Sequence, residues 1–201
     1  MKNIIIGIAI IAITAASCNN GSNNATEKNI NKDDTTQGNN TSANESATSN
    51  NADAKVDGSM KEMVSQYLQM KNALANDNGK DAASAGNAFV ESMGKMEKTS
   101  LTMEKKKIWD NLSDDAKEMA EHIGENADKI EHQREHFEML STDMYDMVKT
   151  FGAGQTLYQD FCPMYNGEKG ATWLSETKEI KNPYLGKKMP TCGEVKEEIK
   201  Q

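Results

Sequence analysis

Residues 127–154 read ADKIEHQREHFEMLSTDMYDMVKTFGAG, and this stretch decides the fold. Ala127, Ile130, Phe137, Leu140, Met144, Met147 and Phe151 recur at intervals of three, four or seven residues. They therefore fall on one face of a helix, the signature of an amphipathic segment lying on a core. Gly152 and Gly154 supply the stop.

Upstream the same grammar repeats. Met60, Met63, Val64, Tyr67, Lys71 and Leu74 form a first helical stripe. Asp77-Asn78-Gly79 ends it, with Asp77 or Asn78 placed to cap the next helix. Ala82, Ala85, Phe89, Met93 and Met96 make the second stripe. The third runs from Leu101 to Ile123 through Ile108, Trp109, Leu112, Ala116, Met119 and Ala120, and Ser113-Asp114-Asp115 offers a point at which it restarts. Four amphipathic helices with short connections predict an all-α fold, an antiparallel up-down bundle. No stretch of strand period competes. Residues 155–193 form a long irregular loop dense in turn residues: Pro163, Gly167, Gly170, Asn182-Pro183, Gly186, Pro190 and Gly193. Trp173, Leu174, Ile180, Tyr184 and Leu185 are its expected anchors, and Glu194–Gln201 is expected to add a helical turn or two.

The N-terminal part is of another kind. Met1-Lys2-Asn3, the apolar run Ile4–Ile13 and Thr14-Ala15-Ala16-Ser17-Cys18 describe an export signal over residues 1–17. The cysteine after Ala-Ala-Ser resembles a bacterial lipoprotein signal, which implies lipidation of Cys18, although Ala15 stands where leucine is usual. The expected setting is periplasmic, anchored by lipid at the inner leaflet of the outer membrane. Residues 18–58, rich in Asn, Ser, Thr and Asp, carry too little apolar surface to fold and are expected to be a tether. The bundle domain is then 59–201. With a net charge of −8 the chain is poorly suited to nucleic acid.

Chemistry concentrates in the C-terminal loop. Cys162-Pro163-Met164 and Met189-Pro190-Thr191-Cys192 bring two thiols and two thioethers into one turn-rich segment stiffened by proline. Such donors select soft ions, Cu(I) first, with silver or zinc as alternatives. His132 and His136, four apart on the fourth helix, share a face in the manner of a helical two-histidine metal pair. The predicted metal set is Cys162, Met164, Met189, Cys192, His136 and His132. The competing reading of the same thiols is a Cys162–Cys192 disulfide in an exported structural or interaction module. His122 reads as a lone capped or exposed imidazole, and the other methionines as core filler. No nucleophile elbow, phosphate loop or zincin motif is present, so no enzyme is expected.

The pattern Gln133-Arg134-Glu135-His136-Phe137 with Leu140-Ser141, then Cys162-Pro163-Met164, Gly170, Trp173-Leu174, Asn182-Pro183-Tyr184, Gly186, and Met189 with Cys192-Gly193 resembles the bacterial domain-of-unknown-function 3347 family. Tyr67-Leu68 and Lys71-Asn72-Ala73-Leu74 fit its first helix. The resemblance implies a small exported helical domain, of a kind also found fused to periplasmic adaptors of copper and heavy-metal efflux pumps. Metal buffering or hand-off, with an efflux adaptor or other envelope protein as partner, is the implied role.

Overall fold

The computed structural model describes residues 45–200. The export signal, Cys18 and residues 19–44 of the expected tether lie outside the described residues. Four long helices make the frame: α1 (Glu45–Ala75), α2 (Gly79–Met93), α3 (Met103–Glu125) and α4 (Ile130–Phe151). Helix α1 starts at Glu45, upstream of the Ser59 boundary expected from composition. Successive helices pack on one another, and α4 returns against α1, as an up-down bundle requires. Asn78 caps α2 by accepting from Asp81 N at 3.1 Å. Thr102 Oγ1 caps α3 by accepting from Lys105 N. Helix α3 is continuous through Ser113, so the Ser-Asp-Asp step is an interior turn and not a restart. Among the described residues, no helix is long and apolar enough to cross a membrane.

The fold is not all-α. Three short strands, β1 (Leu157–Cys162), β2 (Ala171–Ser175) and β3 (Glu194–Ile199), form an antiparallel sheet in the order β2-β1-β3. The stretch expected to be irregular loop thus contains two strands. The expected C-terminal helical turn is the third. A register shift at Gln159/Asp160 breaks the period-two alternation that would have revealed β1. The β1–β2 connection turns on Asn166 and Gly167, both in the left-handed region.

The bundle and sheet share one core through α4 and β2. Tyr67 of α1 stacks on Phe137 of α4 with ring centroids 5.0 Å apart. Its hydroxyl meets Ser141 Oγ at 2.8 Å and accepts from Leu174 N at 3.0 Å. Ser141 Oγ donates onward to Phe137 O at 2.7 Å. One buried hydroxyl therefore ties two helices to a strand, and no member of that chain is left unpaired.

A buried charge cluster lies at the same junction. Lys71, fully buried, donates to Glu176 Oε2 at 2.8 Å, and Asn72 Nδ2 donates to Glu176 Oε1 at 2.9 Å. Burial lowers the Lys71 pKa, with Glu176 acting against it. Burial also opposes ionisation of Glu176, but the hydrogen bonds from Lys71 and Asn72 outweigh it and hold the carboxyl below its ordinary value. Asp160 on β1 is also fully buried, and neither carboxyl oxygen closes a hydrogen bond. Burial drives its pKa up to about 7; Lys71 favours the anion, but Glu176 already occupies that cation and repels a second negative charge. Trp173 acts on Asp160 toward the charged form, yet its indole N–H closes no well-formed hydrogen bond either.

Candidate metal centre

The last turn of α3 faces the first turns of α4 because only Asn126–Lys129 separate the two helices. Asn126 Nδ2 donates back to His122 O at 2.8 Å, and Lys129 N to Asn126 O at 2.9 Å, which folds the link tightly. Gln133, fully buried, donates from Nε2 to both Ile123 O and Gly79 O at 2.9 Å. This amide fastens the start of α4 to the residue after His122 and to the start of α2. The backbone that carries the candidate ligands is therefore set by a buried clamp.

Three histidines meet across this seam. His122, His132 and His136, all half-buried, each place one ring nitrogen within 4.8 Å of the others. His132 Nε2 and His136 Nε2 are 3.1 Å apart. The rings of His122 and His136 stack at 4.4 Å, while those of His132 and His136 are nearly perpendicular. The other nitrogens are already engaged. His132 Nδ1 lies 3.3 Å from Glu135 Oε2, and His136 Nδ1 lies 3.3 Å from Met119 Sδ. A carboxylate selects the tautomer with the proton on Nδ1 of His132, and a thioether, which can only accept, does the same for His136. Both Nε2 atoms then present lone pairs to each other.

Two facing lone pairs at that distance repel unless a proton or a cation lies between them. Two imidazole nitrogens on one tetrahedral ion, at about 2.0–2.1 Å each, stand roughly 3.3 Å apart. The observed 3.1 Å is close to that. Burial, then the neighbouring His122 and His132, hold the His136 pKa below its ordinary value. A neutral imidazole is the form that binds a metal. Glu118 Oε1, 3.8 Å from His122 Nε2, adds a second carboxylate at the rim.

The predicted sulfur set is divided differently. Cys162 Sγ and Cys192 Sγ are 2.8 Å apart, the first buried at the end of β1 and the second half-buried before β3. Met164 and Met189 are 51% and 42% exposed. What Met164 brings to Cys192 is its backbone N–H. His136 faces Met119 and His122 on α3, not the thiols on the sheet. The structure thus brings His132 together with His136 and brings Cys162 together with Cys192, as two separate groups. Two sulfurs on one ion at about 2.3 Å each would stand roughly 3.7 Å apart, against the 2.8 Å between these thiols.

His122 and Met119 were missed by spacing arguments. The signal for His122 was the hairpin itself: two helices joined by a short link place the end of one against the start of the next.

Residues 63–156 match the model of a family described as protein of unknown function (DUF3347). The matched span holds all three histidines of the cluster and ends before β1, so it includes neither Cys162 nor Cys192. Nothing among curated proteins or solved structures matches the chain.

Proposed function

We propose that this chain binds a transition-metal ion, copper foremost, through His122, His132 and His136, and serves in metal buffering or hand-off. The carrying observation is the pair of Nε2 atoms 3.1 Å apart whose opposite nitrogens are held by Glu135 and Met119. Three imidazoles suit copper, zinc and nickel alike, and copper heads the affinity order for such donors. The site moves from the C-terminal sulfurs to the α3–α4 seam. The role is one of binding, not catalysis. An envelope setting, with a lipid on Cys18 and an efflux adaptor or similar protein receiving the ion, belongs to the same proposal.

The test is a competition titration of the purified chain with copper against a chromogenic chelator. One ion per chain is expected, with affinity reduced at least about 100-fold in His132→Ala/His136→Ala. Cys162→Ser/Cys192→Ser should retain wild-type affinity. Equal affinity of the histidine variant and wild type refutes the assignment. Loss of binding confined to the cysteine variant would return the site to the sulfur loop.

A further inference from the structure

We infer that Cys162 and Cys192 are an oxidation site, joined as a reversible disulfide that fastens the C-terminal lobe. The two sulfurs are 2.8 Å apart, closer than non-bonded sulfurs rest and closer than a shared ion allows. Their placement is built by the sheet. The β1–β3 ladder ends at the pair Phe161 and Glu194, so Cys162, the last residue of β1, and Cys192, two residues before β3, lie just past it. Gly193 makes the approach possible. Its φ is +144°, and a Cβ there would meet Phe161 O and the Trp173 ring, both at 2.9 Å.

The lobe that the bond would close is already docked on α4. Arg134 Nε donates to Pro183 O at 2.9 Å, and the Tyr184 hydroxyl donates to Thr172 O. Asn182 Nδ2 donates to Cys192 O at 2.7 Å, which fixes the carbonyl of the second cysteine. A bond at Cys162–Cys192 therefore adds a covalent tie to an arrangement that exists without it, and needs no rearrangement of strands. The Cys192 thiol is held above its ordinary pKa, first by its hydrogen bond with Cys162 and then by burial. That favours a protonated Cys192 at rest over a standing thiolate.

The chemistry balances with a disulfide oxidant, either a small one such as oxidised glutathione or a protein disulfide. Cys192, the more exposed sulfur, attacks the oxidant as thiolate, forming a mixed disulfide and releasing one thiolate. Cys162, losing its proton, then attacks Cys192 Sγ. The second thiol leaves, so two protein thiols are oxidised while one disulfide is reduced to two thiols.

The experiment uses the full chain, incubated with oxidised glutathione or with reductant. Oxidation is expected to lower the intact mass by about 2 Da per bond. Peptide mapping should find the 162–192 cross-link, distinct from any adduct at Cys18. Reduction should lower Tm by about 10 °C, the consequence of reopening a loop of this length. Glutathione adducts that persist on Cys192 without resolution by Cys162 overturn the inference. So does an unchanged Tm after complete reduction, because the bond would then fasten nothing. Neither result depends on metal, and failure of the histidine site leaves both readouts untouched.

Discussion

Replacing Asp160 by Asn should abolish a decline in stability that the wild-type protein shows as pH rises from about 4 to about 7. The carboxyl is fully buried, closes no hydrogen bond, and has its pKa moved from 3.8 to about 7. In the unfolded chain it ionises near its ordinary value. Between those two values the native state holds a proton that the unfolded state has released, so stability falls as pH rises and levels off above about 7. At about 1.4 kcal/mol per pH unit the shift corresponds to about 4 kcal/mol. Below pH 4 both side chains are neutral and of similar shape, so wild type and variant should agree within about 1 kcal/mol. Above pH 7 the variant should be the more stable by about 3–4 kcal/mol.

Urea unfolding of both proteins at intervals from pH 4 to 8.5 measures this directly. The difference between them isolates Asp160, because the other titrating groups are common to both. Glu176 acts in the opposite sense and lower down: its depressed pKa gives stability above its unfolded value that is lost as pH falls through the folded one. A difference that stays constant across the window would refute the argument. It would mean that the Asp160 carboxyl is solvated or paired in the native protein.

Three further substitutions test the packing. Gly86→Ala should destabilise by about 1–3 kcal/mol in thermal or urea unfolding, because a Cβ there would meet Ala120 O at 2.8 Å and Gly124 N at 3.1 Å where α2 crosses α3. Arg134→Lys should cost about 2–3 kcal/mol despite keeping the charge: the guanidinium donates to Pro183 O, Leu74 O and Asp77 Oδ1 at once, and a lysine cannot span them. Its signature is faster amide exchange around residues 182–186. Tyr67→Phe should cost about 1–2 kcal/mol, since it leaves Leu174 N without an acceptor, and the loss should appear as weakened protection of β2.

The helices were legible because their apolar residues repeat at helical period over several turns, and even Lys71 was read on the buried stripe where it lies. The sheet was not. Its strands have five or six residues each, β1 carries a buried Asp160 and a register shift, and β3 is Glu-Val-Lys-Glu-Glu-Ile with only Ile199 buried. Turn signals between such short strands outnumber the strand signals, so the segment reads as loop. For the site, the spacing of His132 and His136 was informative because it is local to one helix. Of the sulfur set, the structure pairs Cys162 with Cys192 and leaves Met164 and Met189 about half exposed, and sequence spacing alone does not aim those side chains. His122 required knowledge of which helix end faces which.

Helix α4 separates the two chemistries. Adjacent residues on it point to opposite partners: His132 and His136 meet α3, whereas Arg134, Phe137 and Ser141 hold the C-terminal lobe. Gln133 sits between, clamped to α2 and α3 backbone. A change at the thiols therefore reaches the histidines only by displacing α4 itself, and that clamp resists such displacement. Metal affinity that is insensitive to the redox state of Cys162 and Cys192 is what this geometry demands. Strong coupling between them would mean that α4 moves as a lever despite Gln133.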